Sequence, residues 1–257
     1  MRRVVGVHGI GNYESGSPSD AAAALTERWR ANLPGVDLLV SYYAHHLRRG
    51  TSHGDGHLEP EAQEMFVAWV DQLRGQPAFA HGERTAGVRA AADWLTRHFG
   101  EAVRLLAMAF CREVHTYLRK PDSPRRLAAR QTVAEAIGAH RPDVVVAHSL
   151  GSVVAYETLW AHQDHDVDLL VTLGSPLAMP SVVFPRLLPD RASKPPRVRR
   201  WVNIADVGDI VAIPRTGLSG YFVGVERDVD VVIGKNDFHT VASYLRCPEV
   251  AAVISSS

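Results

Sequence analysis

Ser149 lies in the run Val144-Val145-Val146-Ala147-His148-Ser149-Leu150-Gly151, where a short β-branched stretch stops at a serine set between small residues. A serine hydroxyl becomes a nucleophile only when a base removes its proton and an acid holds that base in the right tautomer. Downstream stand Asp206, Asp209 and His239, so an acid and then a histidine follow the serine in the chain. Three residue types in that order can carry acyl transfer without a metal or cofactor. A neutral histidine acting as base implies a rate that falls as pH drops through the histidine range.

The elements that must position these groups follow from periodicity. Residues 144–146 read as a strand buried on both faces, and residues 150–159 as a helix, which leaves Ser149 on the turn between them. Such a turn strains the backbone and needs small residues two before and two after the serine, here Ala147 and Gly151. It exposes the hydroxyl at the carboxyl edge of a sheet and turns the Leu150 amide, at a helix N-terminus, toward a developing oxyanion. The plain alternative is a strand–helix turn with an N-capping serine.

The segment 147–151, A-H-S-L-G, resembles the nucleophile elbow of the α/β-hydrolase superfamily, in its lipase and esterase branch, with Ala147 in place of the usual first glycine. Residues 3–7 form a β-rich run that enters His8-Gly9-Ile10-Gly11-Asn12, similar to the H-G turn that follows the third strand of that fold. The resemblance implies that the Ile10 amide, with Gly11 as the alternative, supplies the second oxyanion donor. His8 would then shape the turn, with Gly9 and Gly11, and His148 would flank the nucleophile. Thr172-Leu173-Gly174-Ser175-Pro176 resembles a lipase turn bordering the site, which adds Ser175 and Pro176 to the expected substrate-binding residues. Asp209-Ile210-Val211 resembles the D-x-V segment that presents the acid in many lipases, which favours Asp209; Asp206 could instead cap the loop.

The implied fold is α/β, a mostly parallel sheet flanked by helices that starts at the third strand of the α/β-hydrolase fold. Strands are expected near 3–7, 36–43, 144–146, 168–173, 198–205 and 229–233. Helices are expected at 18–32, 123–139 and 240–246, with a hairpin-like region at 216–224 and a surface excursion at 180–196. Between about 45 and 122 the strand–helix rhythm stops. Met65, Phe66, Trp69, Val70 and Leu73 share one helical face there, and Trp94, Met108 and Phe110 continue at helical spacing. Two readings stay open: a helical cap over the site whose apolar residues line an acyl pocket, or helices that simply cover the sheet. The chain reads as one domain, core 1–44 and 123–257, with that insertion.

Composition narrows the partners. Lys plus Arg and Asp plus Glu both total 28, so no net field favours nucleic acid or an anionic membrane surface. Cys111 and Cys247 are the two cysteines, far apart, which suits a reduced cytoplasmic protein better than a disulfide-stapled one. No run is apolar and long enough for stable insertion into a bilayer. His53, Asp55 and His57 invite a metal, yet their spacing matches no common site. The expected partner is a small-molecule acyl substrate, and the expected reaction is hydrolysis of a carboxylic ester. Amide or peptide cleavage, thioester cleavage and acyl transfer use the same groups, and a non-catalytic binding module is the alternative from another class.

Overall fold

The computed structural model describes residues 1–48, 58–75, 84–234 and 239–256; His53, Asp55 and His57 fall outside them. Six strands form one sheet: β1 (Arg3–Val7), β2 (Asp37–Ser41), β3 (Val144–His148), β4 (Val167–Leu173), β5 (Val198–Asp206) and β6 (Arg227–Val231). They run in the order β2-β1-β3-β4-β5-β6, and every pairing is parallel. The chain crosses over beside β1, so β1 and β3 flank the point where the winding reverses. In open parallel sheets, the crevice beyond the strand ends at such a point is where ligands bind. His8 follows the end of β1 and Ser149 the end of β3.

Alternation along β3 explains why this segment is a strand. Val144 and Val146 enter one apolar layer with Val4, Leu169 and Val202; Val145 and Ala147 enter the opposite layer with Val5, Val7 and Leu170. All five residues of β3 are buried, as a central parallel strand with helices on both faces requires. The first layer is covered by α1 (Pro18–Arg30) and, at the C-terminus, by α8 (Val241–Arg246) and α9 (Pro248–Ser255). Cys111 and Cys247 are free and buried in opposite layers, so the sheet separates them.

The second layer gathers the remaining helices: α2 (Ala44–Leu47), α3 (Pro60–Leu73), α4 (Arg84–Phe99), α5 (Glu101–Leu118), α6 (Pro124–His140) and α7 (Leu150–Ala161). Phe66, Trp69, Phe110 and Val114 share one continuous core with Val5, Val7 and Ala147. Phe110 and Trp69 pack ring against ring at 5.0 Å. Phe110 is therefore core, while Trp94 and Met108 pack on the outside of that core. α3 is also pinned to the loop after β5, because the Trp69 indole donates to the Ile210 carbonyl at 2.9 Å.

Three expectations change. The 216–224 region is not a hairpin: it is a succession of turns with one parallel bridge, Ser193 to Val223, and its Leu218 and Ser219 amides donate to the Asp228 carboxylate rather than to a facing strand. The 180–196 excursion is anchored, with Val182, Val183 and Leu187 buried in the second layer. A further helix, α9, follows the expected last one; Pro248 at its start prevents α8 from continuing. Among the described residues no helix is long and apolar enough to cross a membrane.

A buried ion pair joins α6 and α7. Arg126 Nε donates to Glu157 at 2.9 Å, the Tyr117 hydroxyl donates to the same carboxylate at 2.7 Å, and the Leu188 amide donates to it at 3.0 Å. Both charged side chains are removed from solvent, so breaking one partner strands the other. Glu157→Gln should lower the unfolding free energy by about 3–5 kcal/mol in urea titration. A loss below about 1 kcal/mol would show that Arg126 finds water or another partner.

Candidate active site

The site is built where two backbones cross. Ser149 has φ 53° and ψ −130°, a conformation that L residues rarely adopt, and its amide still completes the sheet by donating to Leu173 O at 3.0 Å. A Cβ on Gly151 would lie 2.3 Å from the carbonyl oxygens of Val7 and His8, so only glycine lets α7 start beneath the end of β1. A Cβ on Gly9 would lie 2.7 Å from Ser149 Cβ, so the turn after β1 passes directly over the serine.

Ser149, His239 and Asp209 are brought together in that order. Ser149 Oγ lies 2.9 Å from His239 Nε2, and His239 Nδ1 lies 2.8 Å from Asp209 Oδ2. Asp209 is completely enclosed: Oδ1 accepts from the Val211 amide at 2.8 Å, and Oδ2 also accepts from the Tyr244 hydroxyl at 2.7 Å. A carboxylate so held accepts Nδ1–H from His239 and leaves Nε2 bare to receive the serine proton. Asp206 does otherwise. Its two oxygens accept from the Gly208 amide at 2.7 Å and the Ile233 amide at 2.8 Å, so it closes the loops after β5 and β6.

Tyr244 was not among the expected residues. It accepts from the Asp206 amide at 2.8 Å while donating to Asp209, so one phenol links the two aspartates. Burial and the Asp209 charge raise its pKa, which keeps it a donor. The only sequence hint is an aromatic with a polar tip on the short helix after His239. Gly174, at φ 51°, leaves room for this cluster, since a Cβ there would lie 2.6 Å from Asp209 Oδ2.

The turn after β1 is fixed peptide by peptide. The His8 carbonyl accepts from the Tyr43 hydroxyl at 2.7 Å. The Gly9 carbonyl accepts from His8 Nδ1 at 2.8 Å and from Asn12 Nδ2 at 3.1 Å, and Asn12 Nδ2 also reaches the Ile10 carbonyl at 3.0 Å. In a trans peptide the N–H points opposite to the C=O, so holding the Gly9 carbonyl aims the Ile10 amide the other way. Among the described residues, neither the Ile10 nor the Leu150 amide donates to a protein acceptor. The Gly11 amide does: it donates to Glu113 Oε1 at 2.8 Å.

His8, His148 and Ser175, expected against substrate, each hydrogen-bond within the protein. The Tyr43 amide donates to His8 Nε2 at 3.2 Å, and the two rings stack at 4.2 Å, so His8 is a neutral Nδ1–H tautomer behind the turn. His148 Nε2 donates to the His239 carbonyl at 2.8 Å and so fixes the segment carrying His239. Ser175 Oγ lies 2.7 Å from Ser152 Oγ, which donates to the Ser149 carbonyl at 2.6 Å, and accepts from Leu177 N at 3.3 Å. Pro176 follows in the same buried turn. A cavity of about 190 Å³ is lined by Asp209 together with Ser175, Asn203, Asp206 and Asp228. Among the described residues, Glu59, Glu61 and His115 offer metal-type donor atoms within 4.8 Å of one another. The Glu59 carboxylate lies 3.6 Å from His115 Nδ1 and the Glu61 carboxylate 3.8 Å from Nε2.

Comparisons with protein-family models, curated proteins and solved structures returned no match, so the chemistry rests on this geometry.

Burial lowers the His8 pKa to about 4, against the opposing hydrogen bond to Gly9; the nearby His45 lowers it further. An unfolded chain takes up a proton on this histidine near the ordinary 6.5, while the folded one stays neutral down to about 4. Stability is therefore full above pH 6.5 and is lost as pH falls toward 4, by about 3 kcal/mol from this group. Glu113, whose pKa burial raises to about 6, works in the opposite direction over pH 6 to 4.5, so the comparison must be with a variant. Wild type should lose stability between pH 6.5 and 4 more steeply than His8→Asn in unfolding titrations. Parallel slopes would contradict a neutral, buried His8.

Proposed function

We propose that this chain is a serine hydrolase that cleaves carboxylic esters through an acyl-enzyme. The observation that carries the reading is the unbroken relay from Ser149 Oγ through His239 to the enclosed Asp209 carboxylate, at 2.9 Å and 2.8 Å. Two amides that find no protein acceptor among the described residues, Ile10 and Leu150, sit on the two backbones that cross at the same serine. The resemblance of residues 8–12, 147–151 and 209–211 to the α/β-hydrolase superfamily, and an all-parallel sheet in which β1 leads into the H-G turn, agree with it.

In this reaction His239 Nε2 takes the Ser149 proton as Oγ attacks the ester carbonyl carbon, and the carbonyl electron pair moves to oxygen. The Ile10 and Leu150 amides stabilise that oxyanion, with no reorganisation needed at the moment of attack. When the intermediate collapses, the C–O bond breaks and the leaving alkoxide takes the proton from His239. A water deprotonated by His239 then attacks the acyl carbon, the acid leaves, and the proton returns to Ser149. Asp209 keeps Nδ1–H donated throughout and offsets the charge of the imidazolium. Tyr244 and His148 act through other groups, the first on Asp209 and the second on the His239 backbone.

A fluorophosphonate probe should label the folded protein once, at Ser149. Ser149→Ala and His239→Ala should abolish labelling and nitrophenyl-ester turnover, and Asp209→Asn should reduce turnover by about 10³- to 10⁴-fold. Labelling that survives Ser149→Ala, or a folded wild type that does not label, would sink the reading.

A further inference from the structure

Resting on the serine-hydrolase reading, we infer that Glu113, on helix α5, is a positioning residue for the oxyanion hole: by accepting the Gly11 amide it holds the Ile10 amide over Ser149. Glu113 is 102 residues from Gly11 in sequence, and its Oε1 receives that amide at 2.8 Å.

The local chemistry of the turn shows why such an anchor matters. Gly11 has φ 73°, and nothing lies within 4 Å of where its Cβ would be. The residue is exposed, and glycine lets a neighbouring peptide rotate at little steric cost. A rotation of the Ile10–Gly11 peptide would pull the Ile10 carbonyl from Asn12 Nδ2, which also holds the Gly9 carbonyl. The Gly9–Ile10 peptide, whose N–H is the proposed donor, would lose one of its two restraints. His8 and Tyr43 restrain the turn from the sheet side, through the Gly9 and His8 carbonyls. Glu113 restrains its far end from the helical layer. α5 shares the core of the sheet through Phe110 and Val114, so the carboxylate is carried by a rigid element. It also takes up the amide that is the rival donor, which leaves Ile10 as the one that faces the reaction.

A neutral carboxyl keeps a carbonyl oxygen that can accept the amide, and so does a glutamine. Glu113→Gln should therefore retain function, whereas Glu113→Leu, of similar bulk, has no acceptor. The test compares fluorophosphonate labelling rates at Ser149, and kcat and KM for a nitrophenyl ester, in wild type, Glu113→Gln and Glu113→Leu. The Leu variant should lose about 10- to 100-fold in labelling rate and kcat, with KM within about twofold, and the Gln variant should stay within about threefold of wild type. The Gly11 amide proton, read by NMR, should be shifted downfield in wild type and Glu113→Gln and not in Glu113→Leu. If the Leu protein does not fold, Glu113→Ala is read against the same expectations. Wild-type labelling and kcat in the Leu or Ala variant, or a loss confined to KM, would overturn the inference while leaving Ser149 labelling, and hence the hydrolase reading, intact. A wild type that never labels removes that reading instead.

Discussion

The site depends on a close crossing of two backbones that has no room for side chains. Gly9 passes over Ser149, and Gly151 lies under the carbonyls that end β1; a Cβ at either position would overlap its neighbours. This contact forces the turn after β1 against the strained serine at the switch point of the sheet. Widening it by even a methyl group would move the Ile10 amide and the serine hydroxyl apart together. The strain at Ser149 persists because the surrounding ladder over-determines it: the β3 pairing on both sides and the Ser149 amide bond to Leu173 hold the chain on either side of the elbow.

Around that crossing, polar groups are held in pairs. Asp206 closes the loop backbone and Asp209 faces His239, with Tyr244 bridging them, so one aspartate ties loops and the other holds the histidine. His8 and His148 are likewise divided from His239. One is buried neutral behind the turn, and the other is bonded to the His239 backbone. A buried polar group stays inexpensive only when fully satisfied, and these are, which holds the site's donors and acceptors in fixed positions. The helical layer is part of the same construction, because Trp69 ties α3 to the acid loop and Glu113 ties α5 to the turn after β1.

Much of this was legible in the sequence because it is local. The β-branched runs around Val145 and Leu170 mark central strands, and glycine at 9 and 151 marks close approaches. The order of Ser149, Asp209 and His239 is visible without knowing the fold. What was not legible depends on residues meeting across long separations. Glu113 and Tyr244 look like ordinary helix residues until α5 is placed against residue 11 and α8 against residue 209. The stripe of Met65, Phe66 and Trp69 signals burial but not its partners, which are α4, α5 and the loop after β5. The polar character of residues 180–196 hides Val182, Val183 and Leu187, which are buried under it.

In the proposed reaction the Ile10 and Leu150 amides converge where an oxyanion forms on Ser149. The most direct measurement is a crystal structure of the protein after reaction with a phosphonate ester. Phosphorus should be bonded to Ser149 Oγ and its phosphoryl oxygen should lie about 2.7–3.1 Å from both amide nitrogens, with the Gly11 amide still on Glu113. A phosphoryl oxygen bonded to the Gly11 amide, or turned to solvent away from Ile10, would contradict it.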